Sequence, residues 1–256
     1  MTEIEWHNLK ARELRALAER DAIVIVPVGS TEQHGPHLPV QVDALLAGEV
    51  ARRAARRIAE RSPVVVAPTV WAGLAEHHMS FGGTITLDLA TFHGLLRCIC
   101  QSIARHGFRR ILLLNGHGGN ITALNVIVGE LTRELGVPVA TATYWTVTKA
   151  EKAFEDILER QPKVQHACEA ETSMLLRLKP ELVDQDAMRK VEAPTSGYGP
   201  KDGVYRWKSF AEVTKSGVIG VPQAASAEKG ERLLEAAAAA LAESLGSGEP
   251  WRAGGN

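Results

Sequence analysis

The chain has 256 residues, and its 29 Lys and Arg against 30 Asp and Glu leave a formal charge of −1. This near-balance argues against a nucleic-acid or membrane partner bound through net charge. Three cysteines, an odd number, do not suit a disulfide scaffold and predict reduced thiols in the cytoplasm. No apolar run approaches the roughly 20 residues of a membrane span, and the polar start does not resemble a secretory signal.

Short apolar runs alternate with amphipathic patterns along the chain. The first run, AIVIVPV, is continuous and rich in β-branched residues, which predicts a strand covered on both faces. Strands are predicted at 22–28, 63–68, 83–87, 110–114 and 137–144. Apolar residues three or four apart predict helices at 46–58, 92–103, 124–135, 147–158, 169–178 and from 227 to 245.

This alternation of strands and helices predicts βαβ units. We therefore expect an α/β fold, a three-layer α/β/α sandwich with a mainly parallel sheet. The absence of a repeat or linker indicates a single domain over 1–256, with a disordered tail at 247–256. The stretch 192–215 is rich in Pro and Gly and predicts a long loop.

Polar residues cluster where predicted strands end, which is the edge at which open parallel sheets bind ligands. STEQHGPH follows the first strand at 30–37, with Asp43 at the start of the next helix. NGHGGN follows the strand at 110–114 and contains His117, and HACEAE at 166–171 opens a later helix. Imidazoles and carboxylates are the usual ligands of Zn²⁺, Mn²⁺ and Fe²⁺, so the sequence predicts a metal site here.

The spacing of these residues supports a centre with two ions. Glu32 and His34 are two apart, so an extended backbone projects both the same way. Asp43 has two oxygens and can bridge two ions. The glycines around His117 allow a tight turn, and Glu169 can point back from its helix start into the same pocket. Such ions lie about 3.5–4 Å apart.

Each residue taken alone has a simpler explanation. Glu32 and His34 suit a surface loop, Asp43 a helix cap and Glu169 a first-turn acid. NGHGGN suits a phosphate-binding turn, although it lacks G-x-G-x-x-G and a Walker lysine. Cys168 lies near His166 but has none of the context of a thiol nucleophile. The joint occurrence at strand ends and helix starts is what favours the metal hypothesis.

Over about 24–245, the sequence resembles the creatininase (creatinine amidohydrolase) family. The segments that carry the resemblance are PVGSTEQHGPHLP at 27–39 with Asp43, NGHGGN at 115–120, HACEAETS at 166–173 and ASAEKG at 225–230. The resemblance implies a sandwich fold, homohexamers, and metal-dependent hydrolysis of C–N amide bonds in cyclic or formyl substrates. We therefore expect an enzyme with two divalent ions, either Zn, Mn or Fe.

The resemblance also assigns roles to residues. It implies that Glu32, His34, Asp43 and His117 are metal ligands, with Asp43 bridging. In creatinine-hydrolysing members a further ligand, a Glu, lies two places after the turn histidine, where this chain has Gly119. Other branches of the family supply a Glu from the later helix, and Glu169 matches that pattern. His166 and Glu171 match a pair near the substrate, so we expect His166 to transfer a proton and Glu171 to orient it or the substrate. His37, His77 and His78 are expected beside the pocket.

Two departures from the family bear on the substrate. Gly118 stands where creatinine-specific members have Tyr, and Pro162-Lys163 stand in place of Trp-Asp. These changes argue against creatinine itself and favour another small cyclic or formyl amide, hydrolysed by water activated between two metals. The alternatives are a peptidase acting on a precursor peptide, as in mycofactocin maturation, and a non-catalytic small-molecule-binding member. The expected partners are a small-molecule amide and further copies of the chain, with no nucleic acid and no membrane.

Overall fold

The centre of the fold is a fully parallel sheet. The computed structural model describes residues 2–161, 163–197 and 203–252. Within these ranges the four strands of the sheet have the order β2–β1–β3–β4, and every neighbouring pair is parallel. The strands are β1 (Ile23–Val28), β2 (Val64–Val66), β3 (Arg110–Asn115) and β4 (Val139–Thr143).

Helices connect and cover these strands. They are α1 (Ala11–Glu19), α2 (Val42–Ala59), α3 (Leu89–Arg105), α4 (Ile121–Leu135), α5 (Thr148–Ile157), α6 (Glu169–Leu178), α7 (Gln185–Lys190) and α8 (Ala227–Gly246). Helices α1 and α7 were not predicted from the sequence. None of the helices in the described ranges is long and apolar enough to cross a membrane.

Both faces of the sheet are covered, which explains why all of β1 is buried and apolar. Successive side chains of a strand point to opposite faces, so Ile23 and Ile25 enter one core and Val24 and Val26 the other. The first core is completed by side chains of α2, α5, α6 and α8, and the second by side chains of α3 and α4 with half-buried residues of α1. The expected three-layer α/β/α sandwich is confirmed.

The segment at 83–87 does not join the sheet, and the strand expected there is wrong. It makes isolated bridges between Thr31 and Ile85 and between Gly73 and Thr86. Gly82 and Gly83, both at positive φ, turn the chain where this segment begins, so the segment lies against loops instead of a sheet edge. Part of the expected long loop and of the expected tail, 198–202 and 253–256, lies outside the described residues. Short 3₁₀ turns form at Phe210–Glu212 and Glu249–Trp251.

Two glycines bring the start of α2 against the ends of the central strands. Val28 of β1 and Asn115 of β3 are paired, so the loops that follow them begin side by side. A Cβ atom at Gly29 would lie 2.5 Å from the backbone of Ala44, and one at Gly116 would lie 2.6 Å from the carbonyl oxygen of Asp43. Only glycine permits this approach, which places the first turn of α2 at the carboxyl edge of the sheet.

Candidate metal centre

Four buried side chains meet at this edge of the sheet. Glu32 and His34 come from the loop after β1, Asp43 from the first turn of α2, and His117 from the loop after β3. His117 Nδ1 lies 3.0 Å from Glu32 Oε2 and 3.0 Å from Asp43 Oδ2. His34 Nε2 lies 3.2 Å from the other oxygen of Asp43, Oδ1. The structure therefore brings together all four ligands predicted from the two strand-end loops and the helix start.

A hydrogen bond at the far nitrogen orients each of these imidazole rings. His117 Nε2 donates to the carbonyl oxygen of Leu74 at 3.1 Å, and His34 Nδ1 donates to that of Glu32 at 3.1 Å. In each ring the nitrogen that faces the carboxylates is then the one left to bind a cation. Metal-ligating histidines are held in this way, because the outer hydrogen bond fixes both the tautomer and the ring orientation.

Three atoms at the centre contact only the ionisable side chains of the centre itself and have no other partner among the described residues. They are Glu32 Oε2, His34 Nε2 and Asp43 Oδ2, all fully buried. Buried carboxylate and imidazole atoms that face one another need positive charge between them, which bound cations would supply. The ligand atoms of Glu32, Asp43 and His117 lie within 4.8 Å of one another, and so do those of His34, Asp43 and Glu171. Each group could hold a metal ion, as could a third formed by Glu32, His34 and His166, and Asp43 belongs to the first two.

The charges at the centre shift the ionisation of its members. Burial alone lowers the pKa of His117, but the neighbouring Glu32 and Asp43 outweigh it and raise that pKa to about 10. Burial opposes the charged form of His34 as well, and Asp43 and Glu171 raise its pKa well above the ordinary value. Although burial alone would raise the pKa of Glu32, His117 and His78 hold it well below the usual range. The pocket thus stabilises positive charge between its carboxylates.

Glu169 does not reach this centre, contrary to expectation. Its carboxylate is buried, but it contacts Lys229 Nζ at 2.8 Å and accepts hydrogen bonds from the backbone N–H groups of Glu159 and Arg160. Glu171, two residues later in α6, points the other way, and its Oε1 lies 3.8 Å from His34 Nε2. The expectation that Glu169 is a metal ligand does not fit this geometry. Glu171 is the acid of α6 that faces His34 and the candidate ligands.

Gly119 leaves no room for a side chain at this position of the turn. A Cβ atom at residue 119 would lie 2.4 Å from His117 Nε2 and 2.5 Å from the carbonyl oxygen of Leu74. Any side chain there would displace the hydrogen bond that orients His117. A glutamate at 119 is therefore incompatible with this arrangement.

His166, the expected proton carrier, lies beside the centre. Its ring contacts that of His34 at a centroid distance of 4.3 Å, and its Nε2 donates to the carbonyl oxygen of Gln33 at 2.8 Å. Nδ1 faces Glu32 Oε1 at 3.6 Å. Burial holds the pKa of His166 well below its ordinary value, and the nearby His34 and His78 lower it further. The ring is therefore neutral, with Nδ1 as the acceptor.

Two further residues contact the centre that the sequence did not assign to it. His78 was expected only as a pocket neighbour, yet its Nε2 lies 3.1 Å from Glu32 Oε1. The side-chain amide of Gln33 lies 2.8 Å from His78 Nδ1. The sequence shows two adjacent histidines in a loop, His77 and His78. It does not show which of the two contacts Glu32. His37, by contrast, bonds Thr172 Oγ1 at 2.9 Å, and burial lowers its pKa to about 4.

A cavity of about 870 Å³ opens from this centre to the surface. Its wall includes the aromatic side chains of Trp145, Tyr205, Trp207 and Phe210, and two carboxylates, Glu76 and Asp88. Tyr205 and Trp207 are more than half exposed, so aromatic surface remains available near the opening. The cavity therefore combines aromatic surface with many polar groups, and its volume lies within the range of small-molecule sites.

Comparisons with known proteins find relatives that match nearly the whole chain. The family model described as "Creatininase: Creatinine amidohydrolase" matches residues 7–245. The chain is 32% identical to the creatinine amidohydrolase of Pseudomonas putida, covering 95% of this chain and 94% of that protein. It is also 32% identical to the mycofactocin precursor peptide peptidase of Mycolicibacterium smegmatis, covering 94% and 91%. A solved structure described as "Creatininase Mn" superposes with a TM-score of 0.84 at 30% identity, covering 98% of this chain and all of the other.

Proposed function

The chain belongs to the creatininase family of metal-dependent amidohydrolases, and from that premise we propose that it hydrolyses a C–N amide bond in a small cyclic or formyl amide. The observation that supports this proposal best is the position of Asp43. Its two oxygens face different histidines, His117 and His34, in two groups of buried donors. A carboxylate in this position suits a centre with two ions.

The proposed centre uses residues that are already together. Glu32, Asp43 and His117 would hold one divalent ion, and His34, Asp43 and Glu171 the other. Nitrogen and carboxylate donors without thiolate suit Mn, Zn or Fe. Bound divalent ions supply Lewis acidity, which activates water and polarises the amide carbonyl. Glu171 is thus proposed as a ligand instead of a group that orients His166.

His166 is proposed to move the proton that hydrolysis requires. Its Nδ1 is the free acceptor, because Nε2 is committed to the carbonyl oxygen of Gln33. A neutral imidazole can take a proton from the attacking water at Nδ1 and deliver it to the leaving nitrogen. The low pKa of His166 keeps the ring neutral beforehand and makes the protonated ring a strong acid for the second transfer.

A peptide substrate is the second candidate. The cavity of about 870 Å³ lies near the upper end of the usual range for small-molecule sites, and it leaves room for more than one small ring. The relative in Mycolicibacterium smegmatis is described as a peptidase. Incubation with cyclic amides, formyl amides and short peptides, followed by mass spectrometry of the products, distinguishes the two candidates.

The metal dependence is tested with Asp43→Ala. We expect two ions per chain in the purified protein, at most one in the variant, and turnover reduced by at least about 10³-fold. Asp156→Ala removes an exposed carboxylate paired with Lys152 and serves as the matched control. Activity should disappear with a chelator and return with Mn²⁺ or Zn²⁺. Unchanged metal content together with unchanged turnover in Asp43→Ala would refute the proposal.

The assembly and location implied by the family resemblance belong to the same proposal. We propose a homohexamer, which light scattering of the purified protein tests directly, since a monomer has a mass of 27.7 kDa. All three cysteines are free in the structure, in keeping with a proposed cytoplasmic location.

A further inference from the structure

His78 contacts the oxygen of Glu32 that does not face His117. The residue lies on a 3₁₀ turn, Glu76–Phe81, and its side chain is almost completely buried. His78 Nε2 lies 3.1 Å from Glu32 Oε1, whereas His117 Nδ1 lies 3.0 Å from Glu32 Oε2. Oε2 of this carboxylate therefore faces His117, whereas Oε1 faces His78 and, at the longer distance of 3.6 Å, Nδ1 of His166.

Gln33 fixes the tautomer of His78. Its side-chain Nε2 has two protons and lies near three atoms: His78 Nδ1 at 2.8 Å, the carbonyl oxygen of Gly217 at 3.0 Å and His166 Nε2 at 3.1 Å. His166 Nε2 carries the proton that it donates to the carbonyl oxygen of Gln33, so the two amide protons go to His78 and Gly217. The amide cannot turn over, because its oxygen accepts the backbone N–H of Gly35 at 2.9 Å. With Nδ1 of His78 occupied as an acceptor, the ring carries its proton on Nε2 and donates it to Glu32.

The ring of His78 also packs in a cluster with two other rings, His166 and Phe210, whose centroids lie 4.9 Å from each other. It stacks on His166 at a centroid distance of 4.4 Å, and Phe210 packs against it at 4.1 Å. These contacts, together with the ring of His77 at a centroid distance of 4.3 Å, restrict the ring of His78 while its Nε2 faces Glu32. The arrangement resembles the outer hydrogen bonds that orient metal ligands in proteins, here applied to a carboxylate.

We propose that His78 is a positioning residue that holds Oε1 of Glu32, so that Oε2 is the oxygen presented to a metal ion beside Asp43 and His117. The inference rests on the proposed metal function, which it extends to a residue outside the ligand set. His78 does not act on the substrate in this proposal. Its contribution is to the affinity of one of the two ions, the one held by Glu32.

The test compares metal binding by His78→Phe and His78→Gln. Phenylalanine keeps an aromatic ring packed against His166 and Phe210 but removes the N–H donor, whereas glutamine retains one. We expect His78→Phe to bind one of two Zn²⁺ ions about 10–100-fold more weakly in titration against a competing chelator, with the other ion unchanged. His78→Gln should recover most of the affinity. His93→Phe removes a histidine paired with Glu130 away from the centre and is the matched control.

The outcomes separate this inference from the function on which it rests. Two ions bound by wild type and by His78→Phe with equal affinity would overturn the role of His78 and leave the metal function intact. A wild-type chain that binds no metal would overturn both. Equal weakening of both ions would also refute the inference, because it indicates general loosening of the site. If His78→Phe shows no cooperative thermal unfolding, the same Zn²⁺ titration is made with His78→Met, which also lacks the N–H donor, and compared with His78→Gln.

Discussion

The hydrogen bond from His117 Nε2 to the carbonyl oxygen of Leu74, 3.1 Å long, exists only because residue 119 has no side chain. A Cβ atom there would lie within 2.5 Å of both bonded atoms. This bond leaves Nδ1 of His117 facing Glu32 and Asp43. The glycine-rich turn after β3 therefore does more than reverse the chain, since it sets the orientation of a proposed ligand.

Gly119→Ala should weaken metal binding. The added methyl group must displace His117 or Leu74, and loss of an outer hydrogen bond to a ligand typically costs about 10–100-fold in metal affinity. Gly118→Ala is the matched control, because a Cβ atom at Gly118 meets no atom within 4 Å. Zn²⁺ titration of both variants against a chelator measures the effect. Equal affinities in the two variants would contradict the proposed role of Gly119.

Metal affinity should rise with pH. In the metal-free chain, Glu32 and Asp43 raise the pKa of His117 to about 10 against the opposing effect of burial, so Nδ1 holds a proton at neutral pH. An ion must displace that proton, and the apparent affinity should increase about tenfold per pH unit between about pH 6 and pH 8 for each proton displaced. His34, whose pKa is also raised, should add a second proton for the other ion.

Titrations with Mn²⁺ at several pH values, together with direct measurement of proton release, check this dependence. Asp43→Asn should lessen both the proton release and its pH dependence, since it removes a charge that raises the pKa of both histidines. An affinity that does not change with pH would show that the imidazoles are neutral before the metal binds.

Lys229 and Glu169 should matter for stability and not for metal binding. Lys229 Nζ lies 2.8 Å from the buried carboxylate of Glu169 and links α8 to the start of α6. Lys229→Met leaves that carboxylate without its cation, and we expect the free energy of unfolding to fall by about 3 kcal/mol. Urea denaturation of the metal-free protein measures the change. Metal content should remain at the wild-type value.

Lys149→Met is the control for this prediction, because it breaks an exposed ion pair with Glu243 and should change stability little. The double variant Lys229→Met with Glu169→Leu should recover part of the lost stability, since it no longer buries an unpaired charge. A loss of metal in Lys229→Met without a loss of stability would instead return Glu169 to the list of ligands.

The cysteines should differ sharply in reactivity. Burial raises the pKa of the Cys168 thiol to about 12, and burial does the same for Cys100. Cys98 is exposed. Iodoacetamide at about pH 8 should label only Cys98 in the native chain and all three cysteines after unfolding, as peptide mass spectrometry would show. Cys168→Ala should keep its activity. Rapid labelling of native Cys168 would reopen the thiol-nucleophile hypothesis.

Much of the fold was predictable because its signals are local. The apolar run of β1 and the four-residue spacing in α2 each report their own burial, so the strands and helices follow from the chain itself. The prediction of a strand at 83–87 was wrong because it also relied on local composition alone. The segment has a strand-like composition, but membership of a sheet depends on a free neighbouring edge, and the turn at Gly82 and Gly83 carries it elsewhere.

Four of the proposed ligands were also within reach of the sequence. Glu32, His34 and His117 follow parallel strands whose ends must meet at one edge, and Asp43 begins the helix after the first of them. The hydrogen bonds that orient these residues could not be predicted from the sequence. His117 bonds Leu74, which lies 43 residues away along the chain, and Glu32 contacts His78, which lies 46 residues away.

The choice between Glu169 and Glu171 was left to the tertiary structure. Both begin the same helix, and residues two apart on a helix of 3.6 residues per turn face about 200° apart, so only one of them can point at the centre. The rotation of α6 is set by its packing on α8, where Gly230 lies so close to the backbone of Ser173 that a Cβ atom would lie 2.0 Å from its carbonyl oxygen. The sequence by itself determined that an acid of α6 would lie near the candidate ligands. Only the packing of the two helices decided which acid it is.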